Sequence, residues 1–548
     1  MVNASVATQA EQGGDAYRAE DACAAELLCD RHPADAVAFR VVEPDLTVRE
    51  LTFGELAAKS RQVAAVLADK GIGRGDAVGV LMSKSADLPA VLLGIWRLGA
   101  VHVPLFTAFA RPAIELRLEG SGARVVVADA DQAPKLQPEP GAAASDRHVI
   151  QVGGEQPATP GWDRFEDLMA AAPSDPAIEP ARVGADGRLV LLFTSGTTGT
   201  PKAVPVPVRA LASMERYLLD ALDLREDDVF WNAADPGWAY GLYYGILAPL
   251  TLGRTSILLH AGFSPARTWQ VLDRLGVTNF AAAPTIYRAL RGEPAQDGVA
   301  IRLRCASSAG EPLTPEVVSW SREALGVEVR DHYGQTEMGM VIGNVWRPEL
   351  RKPVVPGSMG YPLPGWSCAV LADDADEVVP AGTVGRLAID TYNSPFLWFP
   401  GYAGAPERTA QRFTADGRWY LTGDTAYQDA DGRLYFSSRD DDVIIMAGYR
   451  IGPFDVESVL VTHEAVVDAA VIGAPDELRG EVLEAYVVLR PGVEPSPDLE
   501  KELQQLVKRE FAAHAYPRRV HVVADLPKTP SGKIQRFKLR EARAQSGR

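Results

Sequence analysis

The sequence predicts an α/β fold: a large N-terminal body of layered mixed sheets with helices, followed by a small α+β domain. Length is the first observation, because 548 residues exceed what one core usually fills and longer chains divide. Patterning is the second. Short apolar, β-branched runs at 76–82, 124–128, 188–193 and 278–283 alternate with helical periodicity, which suits helices covering largely parallel sheets. The third is a break at 437–442, where Ser-Ser-Arg-Asp-Asp-Asp separates two apolar runs. Such punctuation fits a hinge or an ordinary turn.

Along the body, residues 131–186 are rich in Pro, Ala, Gly and acidic residues with one apolar run at 148–152, and read as a surface excursion. The apolar run 189–192 leads into a Ser/Thr/Gly loop, and a helical stretch follows at 211–222. Apolar runs at 301–305 and 327–330 each precede a polar segment. Beyond the break, strands are expected at 443–446, 467–472, 483–489 and 519–523, with helices at 454–463 and 499–511. The division is therefore placed at 1–439 and 440–548.

Composition narrows the function. A hydrophobic share of 47% with 23% charged residues is that of a globular enzyme. A net charge of −17 repels nucleic-acid phosphates and anionic lipid, so any phosphate ligand must be held by local donors. Met1 to Ala22 show no basic segment leading into an apolar one, and the apolar stretch 91–105 is broken by Arg97 and His102, so no integral membrane association and a cytoplasmic location are expected. Cys23, Cys29, Cys305 and Cys368 form no CxxC pair, and the eight histidines include no i, i+4 pair, which argues against structural zinc or a disulfide framework. The GxSxG nucleophile elbow of many hydrolases is missing as well.

The most informative stretch is Thr194-Ser195-Gly196-Thr197-Thr198-Gly199-Thr200-Pro201-Lys202. Glycines let the backbone approach a ligand, hydroxyls donate to phosphate oxygens, and the lysine adds a cation. Its spacing is not that of the nucleotidase P-loop. A Ser/Thr/Gly run is often a linker, but this one lies between a buried strand and a helix. It resembles the signature loop of the adenylate-forming superfamily of acyl-CoA synthetases, adenylation domains and luciferases, and further motifs follow in the family's order across about residues 53–540. One departure is Val206-Pro207-Val208-Arg209, which offers no imidazole where many relatives carry one.

The resemblance implies roles residue by residue. Gly310-Glu311-Pro312 and Asp331-His332-Tyr333-Gly334-Gln335 would line the nucleotide, Thr336 would contact phosphate, and Glu337 would help hold Mg²⁺, which prefers carboxylate and phosphate oxygens. Asp424 and Arg439 would reach the ribose, and Lys533 would be the catalytic lysine bridging the acid and the α-phosphate. The small domain is expected to be mobile, turning about Asp441 to bring Ala447-Gly448-Tyr449-Arg450 to coenzyme A, with Lys508 as a weaker contact and His463 near a second cation loop. Trp238, Ala239, Tyr240, Gly241, Ala309, Gly334 and Met338 would form the acyl pocket. Acetyl-CoA synthetases place a tryptophan where Gly334 stands, so an acid larger than acetate is expected here, each buried methylene contributing about 0.8 kcal/mol. The activity implied is ATP-dependent acyl-CoA synthesis through an acyl-adenylate. The alternatives are a ligase loading a carrier-protein phosphopantetheine and a non-catalytic ligand-binding relative.

Overall fold

The computed structural model describes residues 15–137, 146–194, 201–439, 442–446, 449–476, 480–512, 515–529 and 533–546. Two large sheets build the body. The first has seven strands in the order Asp163–Arg164, His148–Val152, Val125–Asp129, Ala77–Leu81, Val101–Pro104, Arg188–Thr194 and Lys202–Pro207, all parallel until the last, antiparallel pair. The second has nine: Tyr361–Pro362, Gly339–Gly343, Val329–Gln335, Cys305–Ala309, Asn279–Ala282, Phe230–Asn232, Ser256–Leu259, Val37–Val42 and Val48–Thr52. Its centre is parallel and its edges are antiparallel. Strands buried on both faces need continuous apolar runs, and Val-Val-Val-Ala at 125–128 and Leu-Val-Leu-Leu at 189–192 supply them.

The expected surface excursion at 131–186 is corrected in part. His148–Val152 and Asp163–Arg164 complete one edge of the seven-stranded sheet, and the helix Phe165–Ala171 buries Phe165 against the body. The apolar run 301–305 is likewise not the strand. The strand is Cys305–Ala309, five buried residues including Ser307 and Ser308, whose hydroxyls disguise it in the sequence.

A four-stranded antiparallel sheet, Cys368–Leu371, Gly385–Asp390, Trp419–Gln428 and Leu434–Arg439, closes the body. Ser437, Ser438 and Arg439 are thus strand residues rather than part of a break. The C-terminal part has its own sheet, with Gly480–Leu489 pairing Val466–Asp476, Ile444–Met446 and Arg519–Val522. The helices Pro453–Leu460 and Pro497–Glu510 cover a separate core built on Val456, Leu460, Val471, Val487 and Leu503. Among the described residues no helix is long and apolar enough to cross a membrane. The apolar stretch 91–105 divides between the buried helix Leu88–Arg97 and the strand Val101–Pro104.

Candidate active site

Ligands of α/β sheets gather beyond the carboxyl ends of parallel strands, and the chain brings its informative segments there. Thr194 ends one such strand, its Oγ1 lying 3.4 Å from the Lys202 carbonyl. From the strand Val329–Gln335, Tyr333 donates its phenol hydrogen to Asp424 Oδ2, and Gln335 Nε2 lies 2.8 Å from the same oxygen and 2.9 Å from the Thr422 carbonyl. Tyr420 donates to Gln335 Oε1 at 3.1 Å, and Arg439 Nε sits 3.8 Å from Asp424 Oδ1. Burial, then the Asp424 charge, raises the Tyr333 phenol far above its ordinary pKa, so it keeps the hydrogen it donates.

Next to this lies a cationic cluster around one carboxylate. Glu337 is buried, and its Oε1 accepts from the Tyr402 hydroxyl at 2.8 Å. Arg412 Nε lies 3.2 Å from the same hydroxyl, and Lys202 Nζ is 5.1 Å from the centre of the Tyr402 ring. Burial pushes the Lys202 ammonium below its ordinary value, the repulsion of Arg412, Arg408 and Arg439 adds to this, and Glu337 opposes it. Four cations around one acid, in a chain of net charge −17, make a local site for an anion of high charge. Arg412 needs a bare backbone beside it: a Cβ on Gly423, whose φ is +74°, would come within 2.5 Å of Arg412 Nη1.

Lys533 reaches this site from the small domain on a hairpin. Thr529 N donates to the Lys533 carbonyl at 2.7 Å, Lys533 N to Thr529 Oγ1 at 3.0 Å, and Gln535 N to the Pro527 carbonyl at 2.8 Å. Lys528 anchors the hairpin through Asp468 Oδ2 at 2.6 Å. The Lys533 ammonium is held below its ordinary value by burial and then by Arg439, while Asp424, Glu311 and Glu337 pull the other way. Its side chain nevertheless stays accessible, so the cleft that crowds it is open to water on one side. Glu311 is fixed by Arg288 at 2.7 Å and Thr285 at 2.6 Å, and Asp468 adds to the field at Arg288.

The indole of Trp238 covers Gly310, where φ is +103° and a Cβ would meet Trp238 Cη2 at 2.4 Å. Ala239, Ala309 and Met338 are buried. The helical segment after Trp238 rests on the 334–340 turn: Tyr243 donates to the Thr336 carbonyl at 3.0 Å, and the Met340 amide donates to the Tyr244 oxygen at 2.8 Å.

Three expectations are corrected here. Alternation along the strand turns His332 away from Tyr333 and Gln335, and its ring bonds Tyr217 and the Asn344 carbonyl instead of joining the nucleotide cluster. Gly241, expected to form part of the acyl pocket, is committed to backbone packing, since a Cβ there would lie 2.2 Å from the Asp235 carbonyl oxygen. At Gly334 a Cβ would lie 2.1 Å from the Gly339 carbonyl oxygen, so glycine there serves the close approach of two strands.

Ser195, Gly196, Thr197, Thr198, Gly199, Asp441, Ala447 and Gly448 lie outside the described residues. Tyr449 and Arg450 belong to the strand Tyr449–Ile451, with Arg450 opposite Ile445. Lys508 places its ammonium 3.9 Å from the Tyr516 ring of its own domain, and His463 Nε2 lies 3.7 Å from Glu502. Tyr402 and Arg412 are residues the motifs above do not include, since they sit in the segment 391–418 that joins two strands of the four-stranded sheet.

The family described as AMP-binding enzyme matches residues 26–402, and the one described as AMP-binding enzyme C-terminal domain matches 455–533. The chain is 38% identical over 504 residues to an acetyl-coenzyme A synthetase of Bacillus subtilis, covering 89% of this chain and 84% of that one. It is 34% identical over 501 residues to the mitochondrial acyl-coenzyme A synthetase ACSM3 of Mus musculus, with 89% and 84% covered. Among solved structures, an acyl-CoA synthetase of Brucella canis aligns with a TM-score of 0.73 and 44% identity over 96% of this chain and 95% of that one. An anthranilate CoA ligase in complex with anthranoyl-AMP aligns with a TM-score of 0.85 and 30% identity, over 96% and 98%. The chain accordingly belongs to the adenylate-forming acyl-CoA synthetase family of AMP-forming acid–thiol ligases.

Proposed function

We propose that this chain activates a carboxylic acid larger than acetate as its acyl-adenylate, with release of pyrophosphate, and then transfers the acyl group to the thiol of coenzyme A. ATP and coenzyme A are the substrates of the family. A free carboxylate is a poor acyl donor because oxide would have to leave. Attack of its oxygen on the α-phosphorus of ATP forms the acyl–phosphate bond, breaks the bond to the bridging oxygen and gives pyrophosphate. Attack of the thiol on the acyl carbon then expels AMP.

The observation that carries the reading is that the ammonium of Lys533, from one domain, lies within the electrostatic reach of Glu337, Asp424 and Arg439 of the other. Negative charge gathers on phosphoryl oxygens as the leaving group departs, and fixed cations are the means of stabilising it. Lys533 would bridge the carboxylate and the α-phosphate, with Lys202 and the 194–199 loop on the remaining phosphates. The Tyr333–Gln335–Asp424 group and Arg439 would hold the ribose. Glu337 suits Mg²⁺, which when bound would neutralise phosphate charge; among the described residues no three acidic, histidine or cysteine side chains gather, so substrate oxygens would complete its shell. For the second step the small domain would turn about Asp441, withdraw Lys533 and bring 447–450 to the thiol. Ala239 and Ala309, which offer no large side chain, support an acid beyond acetate.

Pyrophosphate release measured across a panel of carboxylic acids, with and without coenzyme A, tests the reading. Acid-dependent release with a matching acyl-CoA product is expected. Release without thioester, or none with any acid, would overturn it.

A further inference from the structure

The hairpin that carries Lys533 leads into the helix Arg536–Ser546, and the first residue of that helix grips two carboxylates. Arg536 donates from Nε to Glu457 Oε1 at 3.1 Å and from Nη2 to Glu457 Oε1 and Oε2 at 2.8 and 2.7 Å. Its Nη1 donates to Asp442 Oδ2 at 3.1 Å. The side chains of Arg536, Glu457 and Asp442 are only 15%, 7% and 12% exposed, so these bonds lie where water competes little. Glu457 also accepts from the Val471 amide at 2.7 Å, which seats it on the sheet of the small domain, and the second oxygen of Asp442 accepts from Arg540 Nη1 at 3.1 Å. A guanidinium forked onto a carboxylate fixes direction as well as distance. One leg of the hairpin is thus tied to the sheet by Lys528 and Asp468, and the other by Arg536.

Asp442 extends this grip toward the body. It lies in the turn after Arg439, where the amides of Asp442 and Val443 donate to the Arg439 carbonyl at 3.0 and 3.2 Å. Arg439 itself faces Asp424. After burial, the repulsion of Arg439 is the largest effect on the Lys533 ammonium. Two cations that repel each other stay beside one phosphate only if the backbone under both is held. We propose that Arg536 is a positioning residue for acyl-adenylate formation: through Glu457 and Asp442 it holds the Lys533 hairpin against the turn that carries Arg439, and so sets the spacing of the two cations. This inference rests on the role proposed above for Lys533. Asp442, Glu457 and Arg536 all follow the expected pivot at 441, so the grip travels with the small domain and bears on the chemistry only where Lys533 meets Arg439.

ATP–pyrophosphate exchange and thioester formation from supplied acyl-adenylate, measured in Arg536→Gln, Lys533→Ala and the double variant, test this. Arg536→Gln is expected to lower kcat for exchange by about tenfold to a hundredfold, with KM for the acid and the rate of thioester formation each within about twofold of wild type. In the Lys533→Ala chain the same substitution is expected to cost less than about twofold, because a residue that acts through another has nothing left to position. Loss of packing alone costs as much with the lysine as without it. Thermal melting checks folding. If Arg536→Gln does not fold, Asp442→Asn, which leaves the fork between Arg536 and Glu457 in place, carries the same test with an expected loss of about threefold to tenfold. Exchange unchanged by these substitutions, a loss undiminished in the Lys533→Ala chain, or an equal loss of thioester formation would overturn this inference alone. Full exchange in Lys533→Ala itself would overturn the role of the lysine, and no exchange with any acid would overturn the proposed function.

Discussion

Lys533 must stay charged in a cleft that opposes its charge. Its pKa is lowered from 10.5 by burial and by Arg439. The protonated form is the useful one for stabilising phosphoryl oxygens, and it is lost as pH rises through the lowered value. Acyl-adenylate formation is therefore expected to fall on the alkaline side before an ordinary lysine would titrate. Stopped assays of the first half-reaction across pH check this, with thioester formation from supplied adenylate as the comparison. Lys533→Ala should cost at least about a hundredfold in adenylate formation and leave thioester formation from supplied acyl-adenylate in place; equal loss of both would contradict the role. Gly310→Ala acts by another route. Its positive φ and the Trp238 indole 2.4 Å from the added carbon impose strain on the order of 1–3 kcal/mol. Displacement of Trp238 is expected to raise KM for the acid, read from initial rates at saturating ATP.

Between elements, the helix Pro453–Leu460 meets the strand Leu434–Arg439 through Asp455, whose Oδ2 accepts from Ser437 Oγ at 3.2 Å. Burial pushes this carboxyl from 3.8 up to about 7. Between those values the folded chain holds a proton that the unfolded chain has shed, so stability is lost as pH rises through that window. Asp455→Asn should therefore stabilise by on the order of 1 kcal/mol or more at pH 8 and by less at pH 5, measured by denaturant melts at both pH values. The strands were readable in the sequence wherever burial on both faces demanded unbroken Val, Ile and Leu, as at 125–128 and 189–192. The strand Cys305–Ala309 lies four residues beyond the apolar run 301–305, because Ser307 and Ser308 are buried yet polar and carry no apolar signal. His332 was readable in principle: two-residue alternation already sets it opposite Tyr333 and Gln335. Tyr402 and Arg412 were not, since their place beside Glu337 depends on how a connecting segment crosses the mouth of two sheets.

Across the whole molecule, charge is segregated. A chain of −17 keeps Lys202, Arg408, Arg412, Arg439 and Lys533 around one cleft, and Lys533 is supplied by the small domain. The field crosses the same gap at Arg288, which feels Asp468 of the small domain while bonding Glu311 of the body. Asp468→Asn is expected to slow adenylate formation by about threefold to tenfold and to leave thioester formation from supplied adenylate unchanged, because the attraction belongs to this arrangement of the domains. Rapid-quench measurement of each half-reaction checks the split.

The mounting of Lys533 carries one more consequence. A side chain on a flexible arm could follow its target through a change of posture, whereas one carried by a short ribbon pinned at Thr529, Pro527 and Asp468 goes wherever its domain goes. Switching the lysine off then needs no trigger of its own. If the small domain turns to admit the thiol, as proposed above, the same turn would carry Lys533 out of the cleft, and the two chemistries would exclude each other.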